Sequence, residues 1–355
     1  MQSLLPIARH PARGLLKKSL AVAAIACAGF ASTSQAQQAS PAPSPSPAAA
    51  ANDDFYQFVN ATGGAFTDAQ AAWSMDGGNT WHSFSEAKSA PARMGNGRLY
   101  FKLQNDKGTW QDFMEYAQDK NAWHGNTTYV DALVIPLTIE LVRADGSEIK
   151  LGMDQSRKGM FDMFKKDAPK EFLSCVVGDE RIASPNQVDF AEGKPFANYF
   201  DKYVDEIWDM YAQPKTLPSG WTGQVVDGAL KFTKPGQKDW VLKKKPTTQE
   251  ILLGAGELSS SPGFCAAFNR HIAADPGDWR DPSKFYQQLP YNYYSKFMHE
   301  HTVDGRAYGF CYDDMAEQAS FASAKAVKLV VTLYWDAVPP AKEAKAREMA
   351  YPDKK

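Results

Sequence analysis

The sequence predicts a mainly β fold with a second, α+β domain inserted into it. Three observations support this. Between about residues 55 and 155, short runs rich in aromatic and β-branched residues are punctuated by Gly, Asn and Asp clusters, the mark of antiparallel strands joined by turns. From about residue 155 the apolar spacing lengthens to that of helices. Near the end, "AVKLVVTLYWD" (326–336) is again a strand, and a lone strand needs a sheet to join. The nearest sheet is the N-terminal one, so the chain is expected to leave the β domain, build the second domain and return.

The first strands are "RLYFKL" (98–103), "WQDFMEYA" (110–117), "YVDALVIPLTIEL" (129–141) and "EIKLGM" (148–153), separated by turn clusters such as "NDKG" and "ADGS". Pro136 inside the third run implies an edge or a bulge. Together they read as a sandwich or barrel. In "DQSRKGMFDMFKKDAP", Met160, Phe161 and Phe164 recur at helical spacing and Pro169 ends the helix. "FANYFDKYVDEIWDMYA" (196–212) lines Phe200, Tyr203, Val204, Ile207, Trp208 and Tyr211 along one face. "TTQEILLGAGEL" opens with a Thr cap and places Glu250 near its first turn. "PGFCAAFNRHIAA" and "YNYYSKFMHEHTV" read as helical or mixed.

The ends have a different character. Arg9, Arg13, Lys17 and Lys18 precede the short apolar run "SLAVAAIACAGFA" (19–31), and "STSQA" supplies small residues up to Ala36. This is the pattern of a secretory signal cleaved after Ala36, too short for a membrane span. Cys27 suggests a lipid anchor, but Ala24 stands where that motif prefers Leu. The expected organisation is a signal over 1–36, a Pro/Ala/Ser-rich linker over 37–52, a β domain over 53–155 and 302–338, an inserted α/β domain over 156–301 and a charged tail over 339–355. The mature protein is expected to be secreted, free of the membrane and monomeric.

A net charge of −2 argues against nucleic acid as a partner. The many aromatics suit strands and sugar grooves alike. Beyond Cys27 the chain carries Cys175, Cys265 and Cys311, and one disulfide plus one buried thiol is the simplest account in an oxidising compartment. There is no Gly-x-Ser-x-Gly elbow, thiol-protease signature, phosphate loop or dinucleotide fingerprint. His299 and His301 have His-x-His spacing, with His271 as a third nitrogen, but a lone pair seldom closes a metal site. No metal and no cofactor are expected.

Two acids stand out. Glu115 and Asp131 lie in apolar runs flanking the polar loop "QDKNAWHGNT". A hairpin centred on Trp123 would set them opposite each other, with Cβ atoms about 4.5–5.5 Å apart. One would then hold a proton near neutrality, as a glycosidase acid requires. The commoner reading is that each caps a turn or pairs with Lys107 or Lys120. In "AYGFCYDDMAEQ" (307–318), Asp313 and Asp314 either cap a turn or form an acidic patch beside a sugar groove. Trp123 either stacks on a sugar or anchors the core.

The stretches "GRLYFKL", "WQDFMEY", "NTTYVDALVIPLTIEL", "SRKGMF", "RIASP", "YVDEIWDMYA", "KPTTQEILLGAGEL", "AAFNRHI", "YNYYSKFMHEHTVDGRAYGFCYDDMAEQ" and "LVVTLYW", in this order, resemble glycoside hydrolase family 64, endo-β-1,3-glucanases acting on laminarin- and curdlan-type glucan. The last of the motifs also resembles a segment of thaumatin-like proteins. The resemblance implies a thaumatin-like β-sandwich or barrel, an α/β domain and a wide groove between them. It also implies that Glu115 is the general acid and Asp131 the general base of an inverting reaction. Sugar-binding candidates are Trp123, Asn126, Thr128, Tyr308, Asp313 and Asp314. The alternative is a thaumatin-like protein that binds β-1,3-glucan without cleaving it. Ala117 and Asp119 depart from the Thr and Asn the family favours, which puts subsite preference in doubt. An inverting pair needs about 6.5–9.5 Å between its carboxyls, more than direct opposition allows.

Overall fold

The structure, a computed structural model, describes residues 54–336 apart from 121, 317, 324 and 325. The expected signal, linker and tail lie outside these residues. Among the described residues no helix is long and apolar enough to cross a membrane.

Two large sheets share one hydrophobic core. In the first, strands run in the order Phe321–Ser323, Trp123–Thr127, Gly108–Gln118, Gly95–Asn105, Ala71–Ser74 and His82–Ser83. In the second the order is Glu148–Gly152, Leu137–Arg143, Ala326–Tyr334, Tyr56–Ala61 and Ser89–Ala90. Strand alternation sorts the side chains: Leu99, Phe101, Leu103 and Met114 go inward, where they join Phe58, Ile139, Leu141, Val331 and Leu333 from the other sheet. The late strand Ala326–Tyr334 lies inside its sheet, parallel to Tyr56–Ala61 (Tyr56 opposite Leu329) and antiparallel to Leu137–Arg143.

A second core gathers the helices Arg157–Asp167, Asp201–Met210, Thr248–Leu253, Pro262–Asn269 and Tyr293–His301 with the four-stranded sheet Lys215–Thr216, Thr222–Val226, Ala229–Thr233 and Trp240–Leu242. Local signals set the helix ends. Ser156 caps the first helix by accepting the Gly159 N–H. Thr247 and Glu250 form a reciprocal capping box, and Gly254 closes that helix in the left-handed region.

Three expectations change. The 129–141 run is not one strand: it breaks into Ala132–Leu133 and Leu137–Arg143 around Pro136. The hairpin does not centre on Trp123. Asp119 closes the turn earlier, its N–H donating to the Ala122 carbonyl (3.0 Å) and its carboxylate accepting the Ala122 N–H (2.8 Å). Gln118 therefore faces Trp123, and Glu115 faces Asn126 rather than Asp131. Finally, Cys175, Cys265 and Cys311 are all free thiols; the Cys265 sulfur turns to the carbonyls of Ile251 (3.4 Å) and Cys311 (3.5 Å).

Candidate active site

The outward face of the six-stranded sheet builds one half of the site. Glu115 sits between Arg98 on one neighbouring strand and Asn126 on the other. Its Oε1 accepts from Arg98 Nε and lies equally close to Nη2, both at 3.0 Å, and its side chain keeps 15% of its exposure. Oε2 makes no hydrogen bond to a described residue. The Arg98 guanidinium lies 4.3 Å over the Phe113 ring, which in turn leans on Tyr100. Across the strand, Asn126 is buried and its Oδ1 has no hydrogen-bond partner among the described residues.

Asp131 comes from the bend just after this sheet, and its fixing is layered. Its backbone carbonyl accepts from the Ser184 N–H (2.9 Å) and Gln187 Nε2 (2.8 Å). Downstream, the N–H groups of Val134 and Ile135 both donate to Asp112 Oδ2 at 3.0 Å, tying the bend to the Glu115 strand. Arg157 Nε holds the Val134 carbonyl at 2.8 Å, its guanidinium clasped between Phe161 and Trp335. Upstream, Tyr294 donates to the Tyr129 carbonyl (2.6 Å) and Thr128 bridges Tyr308. The exposed Asp131 side chain thus stands on a rigid base.

Electrostatics show that the two acids share a neighbourhood. The half-buried Cys311 thiol is pushed up first by burial, then by the charges of Asp131 and Glu115. Burial also pushes Asp112 up to about 7, against three backbone N–H bonds and with a small push from Asp131. Asp112 is thus a buried anchor of the bend, and one the sequence reading passed over.

The expected sugar contacts divide. Tyr308 is half-buried and Asp314 exposed, with the Tyr308 hydroxyl 3.5 Å from Asp314 Oδ1. Thr128 is buried beside them, its hydroxyl accepting the Val130 N–H at 3.4 Å. Two candidates are ruled out as sugar contacts. Trp123 is 1% exposed and donates to the Tyr56 hydroxyl (3.2 Å); its ring crosses Gly125, where a Cβ would meet it at 2.1 Å. Asp313 is fully buried, taking Arg270 Nη2 (2.9 Å), His299 Nε2 (3.0 Å), Ser295 Oγ (2.9 Å) and the Gly309 N–H (2.9 Å). Although burial pushes its carboxyl up, His299 and Arg270 hold it below the ordinary value. His299 also holds the Gly305 carbonyl through Nδ1 and lies, with His301, on a helix rather than a strand, so the two rings do not share a face.

Residues 101–333 match the family of β-1,3-glucanases designated glycoside hydrolase 64. The chain belongs to glycoside hydrolase family 64. Two relatives named glucan endo-1,3-beta-glucosidase, from Arthrobacter sp. and Cellulosimicrobium cellulans, are each 22% identical to it over 270 residues, 68% of this chain and 49% of theirs. The chain spans about half the length of these relatives. A β-1,3-glucanase domain from Clostridium beijerinckii shares the fold with a TM-score of 0.70 at 24% identity, over 79% of this chain and 97% of that one. A laminaripentaose-producing β-1,3-glucanase from Paenibacillus barengoltzii is 28% identical with a TM-score of 0.63, over 80% of this chain and 76% of its own. The same enzyme has been solved with laminarihexaose bound.

Within this family 64 chain, the sequence reading gave no part to Arg98, which the ladder sets directly opposite Glu115. The alternation in "GRLYFKL" already sets Arg98, Tyr100 and Lys102 opposite the core positions. On the Trp123–Thr127 strand it is the exposed His124, facing Ala117 across the ladder, that shares the outward face with Glu115.

Proposed function

We propose that this protein is a secreted endo-β-1,3-glucanase that hydrolyses laminarin- and curdlan-type glucan to oligosaccharides with inversion at the anomeric carbon, and that it works as a monomer. The glucan would lie in a wide groove between a thaumatin-like β domain (53–155 and 302–338) and an inserted α/β domain (156–301). Support for this organisation comes from the two separate cores and from the late strand Ala326–Tyr334, which returns to pair with Tyr56–Ala61 in the five-stranded sheet.

One observation carries the chemistry: two carboxylates on different segments bear on the same thiol, and they are not direct cross-strand partners. A register that pairs Glu115 with Asn126 instead of Asp131 fits the wider carboxyl spacing that inversion requires. Glu115 passes its proton to the glycosidic oxygen as the bond to C1 breaks, and the pair of electrons leaves with that oxygen. Asp131 takes a proton from the water whose oxygen attacks C1 from the opposite side. Arg98, bonded to Oε1, stabilises the Glu115 carboxylate as it forms and leaves Oε2 for the proton. Asn126, opposite Glu115, and the linked Thr128, Tyr308 and Asp314 are the sugar contacts in this reading. General acid and general base each contribute about 10²–10⁴-fold.

The test follows reducing ends from laminarin, with the product anomer read by NMR, for wild type, Glu115→Gln and Asp131→Asn. Wild type is expected to release the α-anomer first, and both variants to lose turnover. Near wild-type rates in either variant would remove that residue from the mechanism. Retention on curdlan without any new reducing ends would make the protein a binder instead.

A further inference from the structure

A second pocket, of about 450 Å³, opens among the four-stranded sheet, the helix Pro262–Asn269 and the loop around residues 276–280. Three of its walls are indoles: Trp221, Trp240 and Trp279. Trp240 and Trp279 meet at 5.1 Å between centroids with planes 57° apart, and Phe264 backs Trp279 at 4.9 Å. They lie this close to the helix because Gly263 has no side chain; a Cβ there would stand 3.0 Å from Trp240 and 3.1 Å from Trp279. The two rings therefore meet as a corner packed against the second core.

The polar groups are mainly donors. Lys238 and Arg280 stand exposed at the rim, and neither forms an ion pair with a described residue. Trp279 is 7% exposed, and its indole N–H is buried without a partner among the described residues. Buried indole donors are normally satisfied. Flat aromatic walls with donors around them suit a pyranose, whose C–H faces pack on rings and whose hydroxyl oxygens accept.

We infer that this pocket is an accessory carbohydrate site that holds a glucose unit of a β-1,3-glucan chain away from the acid pair. One segment relates it to that pair: Met315 lines the pocket, and the thiol of Cys311, four residues earlier, is pushed up by burial and then by the charges of Asp131 and Glu115. A long chain could thus engage both places, gaining affinity without new contacts at the point of cleavage. The choice of glucan as ligand rests on the proposed function.

The experiment titrates laminaritetraose into Glu115→Gln protein, whose substrate stays intact, while the indole N–H resonances are followed by NMR. The Trp279 resonance is expected to shift and saturate, and Arg280→Ala, a change at an exposed position, to weaken that response about fivefold, with Trp240→Ala abolishing it. No movement of the Trp279 signal at about 10 mM ligand would overturn the inference, and so would a response confined to glucuronic acid, which would make the cationic rim an anion site. The laminarin assay of wild type reports separately. Indole shifts without hydrolysis would leave the pocket standing and remove the proposed enzyme; hydrolysis without shifts would do the reverse.

Discussion

Asp131 and Asp313 look alike on paper: each is an acid among aromatics and apolar residues. In the folded protein they are opposites. Asp313 is saturated, with four donors on its two oxygens and no exposure. Among the described residues Asp131 is held through its backbone carbonyl, and its side chain stands exposed. The contrast shows that an acid's role follows from what satisfies it. A saturated buried carboxylate fixes structure; an unsaturated one on a fixed backbone is available for chemistry.

The most severe way to break this contrast is to neutralise both kinds of acid and watch two readouts. Glu115→Gln or Asp131→Asn is expected to lower kcat on laminarin by about 10²–10⁴-fold, with melting temperature nearly unmoved in a thermal scan. Asp313→Ala is expected to do the converse first, costing about 3–5 kcal/mol in urea unfolding, because it leaves Arg270 buried and uncompensated. If Asp313→Ala kept full stability and lost only activity, the division would fail.

Smaller effects sharpen it. Gly125→Ala would drive a methyl into the Trp123 ring and to 2.8 Å from the Glu115 carbonyl. A loss of about 1–3 kcal/mol in denaturant unfolding is expected, together with a fall in activity because the Glu115 strand must shift. Arg98→Lys keeps a charge but loses the two-nitrogen grip; kcat is expected to drop about tenfold with KM little changed, as measured by initial rates.

A pH-dependent effect concerns Asp112. Its native carboxyl is pushed up from the ordinary 3.8 to about 7. The native state thus binds this proton more tightly than the unfolded chain does. Its contribution to stability is therefore greatest below about 4, declines as pH rises and levels off above about 7. Urea unfolding at about pH 5 and about pH 8 measures the decline, and Asp112→Asn is expected to flatten it. A slope unchanged in the variant would assign it to other groups.

Much of this was legible in the chain. Periodicity located the helices, the Thr247–Glu250 pair announced its cap, and the strand at 326–334 had to find a sheet. Residue type and setting drew attention to the two acids, but their proposed role came from the family resemblance. Their relation was not legible. The register depended on Asp119 closing the turn at Ala122, a local side-chain bond that competed with the more conspicuous glycine at 125. That shift decided that Trp123 lies inward and His124 outward, since one residue of slip exchanges the faces of a strand. The burial of Asp313 depended on Arg270 and His299, distant in sequence, and no local pattern encodes such a meeting.

The strand Ala326–Tyr334 occupies an interior place in its sheet although it is the last strand in sequence among the described residues. Until it arrives, Tyr56–Ala61 and Leu137–Arg143 have no neighbour to bridge them. A nascent chain therefore cannot complete this layer by stages from its N-terminus, and removing the last stretch would take out a middle plank rather than trim an edge. Such delayed closure, built on contacts of very long sequence separation, is slow, and it leaves this layer open until residues 326–334 have emerged.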